Sequence, residues 1–186
     1  MNFPIHTVQS APAQAAPVLS AIQSQLGLVP NLTASMASAP VMLQTFAAAR
    51  DLAAKTSFTP VEREAIAITV HHNTQCTYGM AVHSTVARKV GMGDADLRAL
   101  REGELPPTPR LAALSRFACE VTSRRGRIEP AHVEQLCAAG FAPEQALEVL
   151  TVVAMAWLAS SAHYITRVEL DAPFQPQRWP GERANA

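Results

Sequence analysis

Nowhere in the 186 residues do apolar and polar side chains keep the alternation of period two that a half-buried strand requires. Apolar residues recur instead at spacings of three and four, in stretches that tend to open at a proline. A chain patterned this way satisfies its backbone N–H and C=O groups within helices. The expected fold class is therefore all-α, a bundle of about eight or nine helices.

The helix boundaries are legible from their punctuation. Short helices are expected over residues 17–26, closed by Gly27, and over 30–38. A longer one is expected over 40–54, where Met42, Leu43, Phe46, Ala49 and Ala53 form a stripe. Thr59-Pro60-Val61-Glu62 is a strong start signal, with Thr59 as cap, Pro60 in the first helical position and Glu62 completing a capping box. That helix should run to about His72, and Asn73 and Thr74 are cap candidates for the next, which ends at Gly91. Further helices are expected over 93–101, 109–124, 130–138 and 143–165. The whole chain, 1–186, reads as one domain: an irregular arm at 1–14, a helical core at 15–172, and a tail at 173–186 kept extended by Pro173, Pro176 and Pro180. Pro106-Pro107-Thr108-Pro109 is a stiff connector and the best candidate for a boundary between halves. Phe58-Thr59-Pro60 and Phe141-Ala142-Pro143 open two apolar stretches, one leading to His83 and one to His163. A duplicated helical pair and chance are both adequate explanations of that echo.

Only 16% of the residues are charged, against about 25% in ordinary domains. So little polar surface favours a homo-oligomer that buries apolar helix faces. Fifteen basic and fifteen acidic residues give zero net charge. Without a basic tract, no nucleic-acid partner is expected, and Arg124-Arg125-Gly126-Arg127 reads as a solvated helix end. No apolar run is read as reaching membrane-spanning length, and no signal peptide is evident, so no membrane partner is expected. Three widely spaced cysteines, Cys76, Cys119 and Cys137, suit reduced thiols in the cytoplasm better than a disulfide framework.

Two adjacent helices carry the candidate chemistry. On the first, Val61, Glu64, Ala65, Ile68 and His72 share one face, which points the Glu64 carboxyl into apolar surroundings. Glu62 and Arg63 fall off that stripe and are expected to be solvated. On the second, Cys76, Met80, His83, Ala87 and Val90 share a stripe. Cys76 lies in the first turn, where exposed N–H groups and the helix dipole depress a thiol's pKa. His83 leans back over position 79, not onto Cys76 itself. Gly79, inside a helix at a cost of about 1 kcal/mol relative to alanine, opens space beside both. His71 and His72 are expected to face the negative pole at the helix end. With Glu64, Cys76 and His83 they form a nominal ligand set without the spacing of a zinc site, so neither a metal nor another cofactor is expected.

The run from Thr59 to Glu64, then Cys76-Thr77-Tyr78-Gly79 with His83, then Ala87 to Gly91, resembles the core of the carboxymuconolactone decarboxylase and alkylhydroperoxidase D superfamily. The family pattern is a glutamate, a Cys-x-x-Cys pair beginning twelve residues later, and a histidine four residues after the second cysteine; Glu64, Cys76, Gly79 and His83 stand in register with it. The resemblance implies a helical oligomer, often a trimer or hexamer with a dimer also conceivable, and a cofactor-free thiol peroxidase. Cys76 would be the reactive thiol, Glu64 and His83 its proton relay, and Gly79, Tyr78, Met80 and His72 the pocket lining. A hydroperoxide would be the substrate and an external thiol the reductant. Gly79 departs from the pattern and rules out the internal disulfide. Replacing it with cysteine is expected to raise activity if the scaffold is otherwise intact. The decarboxylase branch implies a second possibility, a cofactor-free lyase or isomerase using Glu64 and His83. A non-enzymatic oligomer that binds a small ligand is a third.

Overall fold

The computed structural model describes residues 3–181. Among them are nine α-helices and one 3-10 helix, with no strand. The helices are α1 (Ala16–Leu26), α2 (Asn31–Met36), α3 (Pro40–Ala53), α4 (Pro60–Asn73), α5 (Thr77–Lys89), α6 (Asp94–Glu102), α7 (Pro109–Ser123), α8 (Pro130–Ala138) and α9 (Pro143–Thr166). The starts follow from the punctuation. At α4 the Thr59 hydroxyl accepts from the Glu62 N–H at 3.2 Å, and the Glu62 carboxylate accepts from the Thr59 N–H at 2.8 Å. Gly27 closes α1 in the left-handed region, at φ 78°, where a Cβ would be strained.

α4 is the hub, packed against α5, α7, α9 and α6. Its buried Ile66, Ala67 and Val70 belong to the large core that α3, α7 and α9 complete. Its buried Ala65 and Ile68 belong to a smaller one with Met80, Ala87, Leu97, Leu100, Leu111 and Trp179. The stretches on either side of Pro106–Pro109 are therefore packed on one another through α4 and α7, and the connector does not separate two bodies.

Several sequence expectations change. Glu62 is buried, at 6% exposure, because Arg110 of α7 reaches it at 2.9 Å. Burial alone would raise its pKa, but the Thr59 N–H, the Arg110 guanidinium and the Thr59 hydroxyl together hold the carboxyl below its usual value. The stretch after Phe141 is one 24-residue helix and not a pair. Phe58 and Phe141 do meet edge to face, 6.2 Å apart. α9 is also long and apolar enough to cross a bilayer, contrary to the sequence reading. It packs on α3, α4, α2, α7, α5 and α8. The expected tail is not uniformly extended: Ala172–Gln177 forms a 3-10 helix against α5, and Trp179 is buried beside His72. The ends of the expected arm and tail, residues 1–2 and 182–186, lie outside the described residues.

Candidate functional site

α4 and α5 are joined by a tight turn at Thr74–Cys76, with Gln75 at φ 53°. The Tyr164 hydroxyl of α9 holds it through the carbonyls of Thr74 and Gln75, at 2.8 and 2.7 Å. The turn sets α5 beside α4, and Gly79, Val82, His83 and Val86 of α5 line, with Glu64, Ala67 and His71 of α4, one cavity of about 790 Å³. α2, α3 and α9 contribute an apolar wall that includes Leu32, Phe46, Val152 and Met155, and Phe174 from the 3-10 helix lines it too. Arg50, Lys55, Arg63 and Lys89 stand among its lining residues, with the Arg63 guanidinium donating to the Phe58 carbonyl.

Glu64 and His83 meet in this wall. His83 Nδ1 donates to Glu64 Oε2 at 2.7 Å, and the side chains are 17% and 13% exposed, respectively. The carboxylate fixes the tautomer, leaving Nε2 as the nitrogen that exchanges protons.

Cys76 is elsewhere. It caps α5, its Sγ accepting the Gly79 N–H at 3.4 Å, and it is fully buried and absent from the cavity lining. Burial pushes the thiol's pKa up, against the Gly79 N–H, the Ser160 hydroxyl and the Tyr78 N–H, which favour the thiolate. The expected depressed thiol is thus corrected: the helix N-terminus is present, but desolvation outweighs it. Met80 and His72 are corrected as well. Met80 points into the smaller core, and the His72 ring lies tilted against Trp179, outside the cavity lining. Tyr78 does line the cavity. Its hydroxyl donates to Asp171 at 2.6 Å and accepts from the Leu32 N–H at 3.3 Å, and burial and then Asp171 raise its pKa.

The residue that sequence reasoning missed is His71. Expected at a helix pole, it is completely buried, and its ring stacks on His83 with centroids 4.8 Å apart. Its Nδ1 pairs with Ser160 Oγ at 3.0 Å. Burial, then the charges of His83 and His163, hold its pKa well below the usual imidazole value. His71 also explains Gly79. A Cβ at position 79 would lie 2.3 Å from both His71 Cε1 and Nδ1, so the imidazole occupies the space a side chain there would need. The signal was in the sequence: Glu64 and His71 are seven residues apart, within about 20° on the helical wheel.

Fold and site together define a helical bundle whose cavity carries a carboxylate–imidazole pair and a second, neutral imidazole. The sequence profile of the carboxymuconolactone decarboxylase family matches residues 39–118, which holds Glu64, Cys76, Gly79 and His83. Over that stretch the chain is similar to the carboxymuconolactone decarboxylase family, as the sequence resemblance implied. Its fold is that of an uncharacterized peroxidase-related protein from Ralstonia eutropha JMP134, an alkylhydroperoxidase AhpD core, at 23% identity over 93% of each chain and a TM-score of 0.81. An uncharacterized peroxidase-related protein from Silicibacter sp. TM1040 is similar at 22% identity over 95% of this chain and 94% of the other, with a TM-score of 0.77. A cysteine-to-alanine variant of the debrominase Bmp8 in complex with 2,3,4-tribromopyrrole is similar at 17% identity over 89% of each chain, with a TM-score of 0.73. A search of curated proteins finds no match.

Proposed function

We propose that the chain is a cofactor-free acid–base enzyme of the lyase or isomerase kind, acting on a small, largely apolar molecule. The observation that carries this reading is the Glu64–His83 pair, 2.7 Å apart, in the wall of a cavity from which Cys76 is absent. His83 Nε2 takes a proton from one atom of the substrate and returns it to another, while Glu64 holds the ring and offsets the charge of the imidazolium. The Bmp8 structure, with a brominated pyrrole bound, supports the capacity of this fold to hold a small apolar ring. The test is turnover of candidate substrates that survives Cys76→Ala and is lost in His83→Ala. Full activity in His83→Ala would refute the proposal.

A thiol oxidoreductase acting on a hydroperoxide, with an external thiol as reductant, is the second reading. The N–H groups and the Ser160 hydroxyl around Cys76 favour it, as does the likeness to peroxidase-related proteins. Equal peroxide consumption with dithiothreitol by wild type and Cys76→Ser would sink it. Either reading suits a cytoplasmic homo-oligomer. Leu147, Trp157 and Ile165, more than half exposed on α9, supply apolar surface for a second copy, and a monomer in sedimentation would count against self-association.

A further inference from the structure

The cavity is polarised along its length. Its solvent-exposed lining residues mark the mouth: Gln25 and Leu26 at the end of α1, Asp51, Ala54 and Lys55 at the end of α3, and Lys89 at the end of α5. Its buried lining residues mark the floor, which Leu32, Phe46, Val152, Met155 and Ala159 make largely apolar. α4 and α5 run antiparallel, with Glu64 beside His83 and His71 beside Gly79. Arg63, in the first turn of α4, and Lys89, the last residue of α5, therefore stand at the same end of the pair. Lys55 lies on the short link from α3 that leads into that end. The four lining cations, Arg50, Lys55, Arg63 and Lys89, thus collect at the mouth.

The charges do not cancel there. The lining holds two carboxylates, and both are committed, Asp51 to Arg50 at 3.2 Å and Glu64 to His83 at 2.7 Å. Lys55, Arg63 and Lys89 have no carboxylate partner among the described residues, although the Arg63 guanidinium donates to the Phe58 carbonyl. Arg63 also stands in the first turn of a helix, where the dipole disfavours a cation. A protein of zero net charge has gathered uncommitted cations around the entrance to an apolar cavity, and such an entrance concentrates anions.

We infer that the cavity binds a medium-chain carboxylate end-on, its alkyl chain along the buried wall and its carboxylate at the mouth among Lys55, Arg63 and Lys89. The length follows from the helices. The lined stripe runs from Arg63 to His71 on α4 and from Tyr78 to Lys89 on α5, about 12 and 16 Å at the helical rise. An extended chain advances about 1.2 Å per bond, so the wall matches about ten carbons. Glu64 directly follows Arg63, which sets the acid–base pair toward the carboxylate end of the ligand rather than its tail. The inference names a substrate class for the acid–base reading and rests on that reading for turnover, but binding is measured without turnover.

Octanoate, 1-octanol and octylammonium share one alkyl chain and differ in the charge of the head. Calorimetry at neutral pH should show one octanoate per protein chain, bound about tenfold tighter than octanol, with octylammonium the weakest. Decanoate should bind about tenfold tighter than octanoate, because two more methylenes are buried. High salt should erode the lead of octanoate over octanol. Combining Lys55→Gln, Arg63→Gln and Lys89→Gln should bring octanoate to the level of octanol and leave octanol unchanged. Should that variant fail to fold, the head-group and salt series on the wild type decide alone. No binding of octanoate, octanol or octylammonium bound as tightly, no gain with chain length, a lead that salt does not erode, or a lead that persists in the triple variant would overturn the inference. Full turnover in His83→Ala would instead overturn the acid–base reading and leave the binding result standing.

Discussion

Filling the space at Gly79 should destabilise the protein, although replacing a helical glycine with alanine normally stabilises by about 1 kcal/mol. The added Cβ would meet His71 Cε1 and Nδ1 at 2.3 Å and Cγ at 2.7 Å, so the imidazole must move. Overpacking of a tight core costs about 1–3 kcal/mol. Displacing the ring also breaks its bond to Ser160, and leaving those buried groups unpaired costs about a further 1–3 kcal/mol. Taking about 2 kcal/mol for each cost, less about 1 for propensity, Gly79→Ala should lose about 3 kcal/mol. At about 2–4 °C per kcal/mol for a chain of this size, Tm falls by about 6–12 °C. Thermal denaturation followed by circular dichroism reads it directly. The companion double variant, His71→Ala with Gly79→Ala, removes the clash and should be more stable than the sum of the single effects by about 1–3 kcal/mol. A Tm in Gly79→Ala at or above that of wild type would refute the reasoning, as would simple additivity. The same clash means that Gly79→Cys alone should lower stability and not restore a working thiol pair, which corrects the sequence expectation.

The other predictions concern charge and access. Turnover should fall about 10²–10⁴-fold in His83→Ala, the usual contribution of a positioned acid–base group, and Glu64→Gln should lower kcat by impairing the same ring. Iodoacetamide at neutral pH should modify Cys119 and Cys137, both partly exposed, at least about tenfold faster than Cys76, because burial both shields that thiol and raises its pKa; modification of Cys76 first, followed by mass spectrometry, would contradict the site's description. Acid should weaken the fold. His71 binds its proton less readily when folded than its ordinary value of 6.5, so the unfolded chain takes up more protons as pH falls through that value, and stability drops by up to about 1.4 kcal/mol per pH unit. His163 acts in the same direction, whereas the stabilisation from Glu62 is lost only nearer pH 4.5 and below. Urea midpoints at pH 7, 6 and 5 should show this slope, and His71→Asn should flatten it.

Much of the fold was legible because helix starts are local chemistry. Thr59, Pro60 and Glu62 specify their cap within four residues, and α4 begins where they place it. The register of Glu64 with His83 was equally readable, since each lies on a face set by its own helix. What the sequence could not convey depends on partners far along the chain. Glu62 looks solvated until Arg110, forty-eight residues on, closes over it. His71 looks like a helix-pole histidine until Ser160, eighty-nine residues on, binds its ring. Cys76 shows why a local rule can fail: the helix N-terminus favours a thiolate, but the larger desolvation effect comes from packing that no window of sequence contains.

The cavity's wall also has a temporal side. Phe174 is one of its lining residues, and the 3-10 helix that carries it is tied down at both ends. Asp171 holds one end through Tyr78 and the Asn31 N–H, and Arg101 holds the other through the carbonyls of Gln177 and Arg178. During synthesis, α4 and α5 emerge roughly a hundred residues before this strap, so the Glu64–His83 pair can form while its enclosure is still incomplete. A chain that has emerged only as far as α9 therefore still lacks the part of the wall that Phe174 supplies.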